Sequence, residues 1–407
     1  MRSSVKLKID PLLVSKVLFL LYIVYNNVTS YSLFFVRGLS SILLLGSLII
    51  LLYHDRFKLL NDISLNALIL FVAYIFASGL LVSTDFNLVV STATTFLESL
   101  LVFYIVIRYI GIDGTPSFVM SVFIIQAIVA ASIMIFRGSG VYRVSIADNV
   151  NVNTLGVMFA FAIGFTLFII IQNGNPKKFL LAISIIVLML FGIMMTASKK
   201  AILAAAVFIV LWIIFCYKWT FAKMNKLFRI GLFIVMIAVS LYVYKWFTGN
   251  YVEQLDYVKY RMSLLYVGES DQARTQLIKE GFSIFLSHPI FGVGFNNARY
   301  YTSLNTYTHC FYSEILACTG LIGAMIFGYA LFRPAFVISS KLLVATKRGT
   351  SARTQIKYMN ILLLTLLSLC LVQILFYTPT LMYVFAIITG FAGLGIEKIS
   401  SEDEKNE

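Results

Sequence analysis

The residues best suited to chemistry lie between His288 and Gly323, in "HPIFGVGFNNARYYTSLNTYTHCFYSEILACTGLIG". Two of the chain's three histidines bracket this Gly-, Asn- and Tyr-rich passage. An imidazole titrates near neutrality, so His309, beside Tyr307, Tyr312 and Glu314, reads as a candidate proton acceptor; a structural histidine at a membrane interface is the alternative. His288 precedes Pro289, which disfavours helix at the preceding residue, and reads as a helix end. Just upstream, "DQARTQLIKEGFSIFLSHP" places Gln272, Gln276, Lys279 and Ser283 on one polar stripe at helical spacing. Arg274, Leu277, Ile278, Gly281 and Phe285 fall on the opposite, apolar side. An arginine there is costly unless it meets an anion. That anion is either a bound phosphate or a structural carboxylate such as Glu269, Glu280 or Glu314. Lys199 and Lys200, between "GIMMTAS" and "AILAAAVF", either snorkel from a helix end or form a second anion site. Arg143 is a further cation on the same side of the chain's topology.

The elements that must position these groups are membrane helices. The chain has 60% hydrophobic and 12% charged residues and a mean hydropathy of +0.91, which excludes a soluble globular protein. Apolar runs of about 18 to 24 residues recur throughout, the length that crosses a hydrocarbon core of about 30 Å. They are continuously apolar, not alternating, so the fold class is all-α and polytopic, not a β-barrel. We expect about twelve spans in a single membrane domain covering residues 1–407: 11–28, 31–52, 63–83, 87–109, 116–136, 151–172, 179–197, 201–217, 228–247, 311–332, 359–377 and 379–396. The first follows the basic "MRSSVKLKIDP" without a small-residue cleavage site and reads as an uncleaved helix. With a cytoplasmic N-terminus, most Lys and Arg fall in inner segments, and the short outer loops hold only Arg137, Arg143, Lys199 and Lys200. The positive-inside rule therefore puts both termini in the cytoplasm and the 248–310 connection outside, as one large loop bearing amphipathic helices. The net charge of +14 has this topological origin, and no nucleic-acid partner is expected. Arg37 and Glu98 lie inside spans, as a structural pair or as ion-coupling groups of a transporter. The four cysteines lack metal-ligand spacing, and no metal or cofactor is expected.

The order of these segments resembles the O-antigen ligase and O-antigen polymerase (Wzy-like) superfamily. "SHPIFGVGFNNARYY" followed by "THCFYSEILACTGLIGAMIF" is similar to that family's P-x-x-G-x-G turn, its H-N-x-aromatic element and its Gly-rich helix entry. "DNVNVNTLG" resembles the Asn-rich entry to a mid-chain span, "MMTASKKAILA" the T-x-S-R segment, and "DQARTQLIKEGFSIFLSHP" the R-x-x-x-(W/L) helix. Cys310 stands where the family has Asn, and Lys199 where it has Arg. The acidic residue usual before the Gly is absent at Ala317–Thr319.

The resemblance implies a GT-C-like membrane glycosyltransferase of the bacterial cytoplasmic membrane with its site facing outward. Its donor and acceptor would be undecaprenyl-diphosphate-linked glycans in the bilayer. A chain-length regulator and a flippase are the further partners it implies. His309 would then be the general base, with Arg274 and Lys199 or Lys200 stabilising the departing diphosphate. Arg143, Asn296, Asn297, Tyr307, Tyr312 and Glu314 would contact sugar or diphosphate. Polymerisation of repeat units for O-antigen, capsule or exopolysaccharide is the favoured reading. Ligation of finished glycan to lipid A core or another acceptor is the alternative. A flippase for the same lipid-linked sugars is the rival from another class, though no repeat symmetry is visible in the sequence.

Overall fold

The computed structural model describes residues 10–28, 34–137, 145, 151–173, 176–222, 245, 252–263, 269–344 and 350–395. Among them the chain is helical and has no strand. The helices are α1 (Pro11–Val28), α2 (Phe34–His54), α3 (Ile63–Val82), α4 (Phe86–Asp113), α5 (Ser117–Arg137), α6 (Val152–Asn173) and α7 (Pro176–Thr196). There follow α8 (Lys199–Ala222), α9 (Val252–Ser263), α10 (Glu269–Ser287), α11 (Phe311–Val344), α12 (Thr350–Leu369) and α13 (Pro379–Gly390). Among the described residues five stretches are long and apolar enough to cross a bilayer: Ile63–Val82, Phe86–Asp113, Ser117–Phe136, Val152–Ile170 and Phe311–Leu342. The architecture is that of a polytopic membrane protein. The expected span 228–247 lies outside the described residues except for Lys245.

Two boundaries differ from the sequence reading. The run 359–377 is not one helix: α12 ends at Leu369, and residues 370–378 form a non-helical connection to α13. The expected span 311–332 extends to Val344 through Pro334 and is broken at Gly320, where φ is 60° and ψ is −164°. Elsewhere the local chemistry marks the ends. Asp62 and Asp85 cap α3 and α4, accepting from the amides of Leu65 (3.0 Å) and Leu88 (3.2 Å). Gly114, at φ 71°, ends α4 in the left-handed conformation.

The two ends of the bundle handle charge differently. At one end cations meet carboxylates: Lys16 with Asp113 at 2.7 Å, Arg333 with Asp62 at 3.4 Å, and Arg108 with Asp55. At the other end four connections converge. The Asp85 amide donates to Asn297 Oδ1 (2.8 Å), the Lys200 ammonium to Gln373 Oε1 (2.6 Å), and the Phe311 amide to the Cys370 carbonyl (2.8 Å). Fully buried Phe295 anchors this polar end, packing its ring against Phe376 (5.0 Å), Phe71 (6.0 Å) and Phe96 (6.3 Å). Of the expected pair within the spans, the Arg37 side chain lies outside the described residues. Glu98 accepts from the Tyr22 hydroxyl at 2.9 Å.

Candidate functional site at the polar end of the bundle

The site is built on an exchange of backbone hydrogen bonds. A helix broken at Gly320 strands two carbonyls before the break and two amides after it, and buried groups of this kind must find partners. The turn from Pro289 to Gly294 supplies all four. The Val293 and Gly294 amides donate to the Ala317 and Cys318 carbonyls, both at 3.0 Å. The Leu321 and Ile322 amides donate to the Pro289 and Ile290 carbonyls at 2.8 and 3.4 Å. The Tyr74 hydroxyl takes the Thr319 carbonyl at 2.5 Å. Side chains cannot fit between segments this close. A Cβ on Gly320 would lie 2.3 Å from the Ile290 carbonyl oxygen, and one on Gly292 would lie 2.5 Å from the Cys318 carbonyl carbon. The P-x-x-G-x-G turn and the Gly-rich helix entry are thus two halves of one joint.

Other motif segments meet through small residues as well. A Cβ on Gly281 of α10 would strike Thr308 Cγ2 at 2.7 Å, so α10 lies directly against the histidine loop. One on Gly156 of α6 would strike Thr196 Oγ1 at 2.8 Å and Ser198 Cβ at 2.9 Å, locking α6 to the turn that presents Lys199 and Lys200. From the short helical segment before Gly320, fully buried Glu314 holds the loop from beneath. Its carboxylate accepts from the Thr308 amide (2.8 Å), the Tyr377 hydroxyl (3.2 Å) and the Cys318 thiol (3.4 Å). A carboxylate buried this way tolerates burial because its oxygens are all engaged.

His309 sits on top of this frame in a left-handed turn, with φ 61°. The Tyr307 ring packs against its imidazole at 4.3 Å between centroids, and Tyr377 packs in turn on Tyr307 at 6.3 Å. Burial first, and then the positive charges of Arg274 and Lys200, lower the His309 pKa from 6.5 to about 4. At neutral pH the imidazole is therefore unprotonated, with the charges of Arg274 and Lys200 acting on it. Protonating His309 in the folded state opposes those cations. The stability tied to its neutral form is complete above pH 6.5 and is lost as pH falls from there towards about 4.

The structure brings together His309, Tyr307, Arg274 and Lys200. Arg274 stands on the α10 face that also carries Leu277, Gly281 and Ile284, but its head is exposed at the helix's open end instead of buried. Of the carboxylates considered for it, Glu280 bonds Ser303 and Gln276, Glu314 is engaged as above, and the Glu269 side chain lies outside the described residues. Lys199 is half-buried at the first position of α8. Three expected contact residues take part in the framework. Asn297, with no exposure, spends its amide on Asp85 and the Phe295 carbonyl. Tyr312 donates to the Leu367 carbonyl at 3.0 Å, facing α12. Glu314 is fully enclosed and lies beneath the site, not in its mouth. Asn296 joins Thr92 (2.8 Å) to Arg299 (2.6 Å). Arg143 lies outside the described residues. His288 is exposed past the end of α10, with its ring 5.8 Å from Tyr301. Among the described residues no group of three or more His, Cys, Asp or Glu side chains could hold a metal ion.

Sequence reasoning did not single out Arg299 or Tyr377, and it read Gln373 as an intramembrane polar residue. Gln373 and Tyr377 stood inside an apparently continuous apolar run, where polar side chains read as span interior. Their signal was available in "VQILFYTPT", since Thr378-Pro379 marks a helix start and hence a connection before it.

Fold and site together define a helical membrane protein with a cation-flanked imidazole at one end of its bundle. Residues 184–328, from α7 into α11, match a family model described as O-antigen ligase. Over that stretch, about a third of its length, the chain is similar to the O-antigen ligase family. The match holds the Lys200, Arg274 and His309 positions and the whole Gly292–Gly320 joint. No curated protein matches the chain.

Proposed function

We propose that the protein polymerises undecaprenyl-diphosphate-linked repeat units of a surface polysaccharide, with His309 at the outer face of the bacterial cytoplasmic membrane. The observation that carries this reading is the neutral imidazole of His309 flanked by Arg274 and Lys200. An acceptor sugar hydroxyl gives its proton to the imidazole while its oxygen attacks the donor's anomeric carbon. The bond from that carbon to the diphosphate oxygen breaks, and the diphosphate leaves with the electron pair. Arg274 and Lys200 face the charge that develops. The match to a family described as O-antigen ligase supports a second reading, transfer of finished glycan to a different acceptor.

A deletion strain separates the two. Single repeats on the lipid carrier are expected if the protein polymerises, and polymer on the carrier if it ligates. Normal surface polysaccharide with neither intermediate would contradict both.

The pH profile carries a second expectation. The acid limb of kcat/KM reports the free protein and is expected at about pH 4. The limb of kcat is expected at higher pH, because a bound diphosphate offsets the cations that depress His309. A kcat limb at or below that of kcat/KM would contradict the placement of diphosphate between Arg274 and Lys200.

A further inference from the structure

Arg299 is a half-buried cation that, among the described residues, forms no ion pair with a carboxylate. Its Nη2 donates to Asn296 Oδ1 at 2.6 Å, a neutral amide already tied on its other side to Thr92. Its Nε is buried with no hydrogen-bond partner. Two acidic residues of this end of the bundle are engaged with other groups: Asp85 accepts from Leu88 and Tyr300, and Glu314 from Thr308, Tyr377 and Cys318. A guanidinium under-satisfied in this way has strong capacity left for an anion.

Its place relative to the other cations gives the ligand's chemistry. Arg274 and Lys200 act on His309. Arg299 acts on Tyr307 and on Tyr377, the rings that lie behind the imidazole. Tyr307 feels both Arg274 and Arg299; Arg299 is tied through Asn296 to Thr92 of α4, whereas Lys200 is tied to Gln373 in the 370–378 connection. The pair at His309 matches a multiply charged diphosphate. A single arginine beside tyrosine faces and amides matches one negative charge on a sugar ring, which can stack on the aromatic face while its anion meets the guanidinium.

We propose that Arg299 is a specificity residue that binds a monoanionic substituent, carboxylate or phosphodiester, on a sugar of the glycan substrate. This deepens the glycan-transfer reading and rests on it. The site it defines is separate from the Arg274–Lys200 pair, and it recognises the glycan and not the lipid diphosphate. A protein of this kind would select acidic repeat units over neutral ones.

The test uses the full-length protein purified in detergent and three soluble probes: methyl glucuronide, glycerophosphoryl glucose and neutral methyl glucoside. Binding is read by ligand-observed NMR. The wild type is expected to bind both anionic probes at least about tenfold more tightly than methyl glucoside, the worth of a charge-assisted hydrogen bond. Arg299→Gln is expected to abolish that preference and leave methyl glucoside unchanged, with Arg299→Lys intermediate. Retention by Arg299→Gln of binding to only one anionic probe would assign the site to the other anion. Equal weakening of all three probes in Arg299→Gln, or no anionic preference in the wild type, overturns the proposal. Transfer of lipid-linked glycan by the wild type, measured on the same preparation, reports separately on the underlying function.

Discussion

Alanine in place of His309 is expected to lower glycan transfer by about 10²- to 10⁴-fold, the usual worth of a positioned general base, with the protein still inserted in the membrane. The imidazole is half-buried above a frame fixed from below, with Glu314 bonded to the Thr308 amide and Gly281 of α10 pressed against Thr308. Removing the ring takes away a packing partner of Tyr307 but leaves every backbone bond of that frame in place. Arg274→Ala is expected to give a comparable loss on surface-polysaccharide gels, through the departing diphosphate instead of the proton. The two variants should differ in pH response. Without Arg274 the imidazole loses one of the cations that depress it, so the acid limb of kcat/KM in residual activity is expected to rise above about pH 4. Normal chain-length distributions in both variants would remove these residues from the site.

Gly320→Ala is expected to cost stability on the order of 2–4 kcal/mol and to disable transfer without touching a reacting group. At φ 60° and ψ −164° the residue occupies a region essentially reserved for glycine. The added methyl would also lie 2.3 Å from the Ile290 oxygen and 2.7 Å from the Gly292 nitrogen, both backbone atoms that no rotamer change can move aside. Relief requires parting the turn from α11, which breaks the four exchanged hydrogen bonds together. Gly328 provides the control on the same helix, because a Cβ there has as its nearest neighbour Phe332 at 4.0 Å. Gly328→Ala should leave the thermal midpoint of the detergent-solubilised protein unchanged or slightly raised, whereas Gly320→Ala should lower it by several degrees. Equal midpoints for the two variants would contradict the joint described here.

Hydropathy made the helices legible, because membrane spans announce themselves by length and continuous apolarity. The polar end was legible for the same reason in reverse: a bundle this greasy has few places for Asn, Tyr, His and Gly to collect. Individual roles were less so. Asn297, Tyr312 and Glu314 carry the residue types that bind sugars, yet each engages framework or helix groups in the fold. Residue type reports capacity for hydrogen bonding, and only packing shows where that capacity is spent. "ACTGLIGAMIF" reads as uninterrupted helix because an isolated glycine costs a helix only about 1 kcal/mol; the break depends on a partner turn some thirty residues earlier. Arg299 carries no mark in the sequence, since its single hydrogen bond to Asn296 is a fact about three dimensions.

In the proposed function this end of the bundle carries out transfer, and does not merely pass lipid-linked sugars across a membrane. The direct measurement is turnover by the purified protein in detergent, where no barrier exists, with lipid-linked repeat units as both donor and acceptor. Longer lipid-linked glycans, with release of free lipid diphosphate in the wild type and at least about a hundredfold less in His309→Ala, are the expected result. The contradicting result is an absence of new glycosidic bonds in detergent, with the same protein moving lipid-linked units between leaflets once it is placed in vesicles.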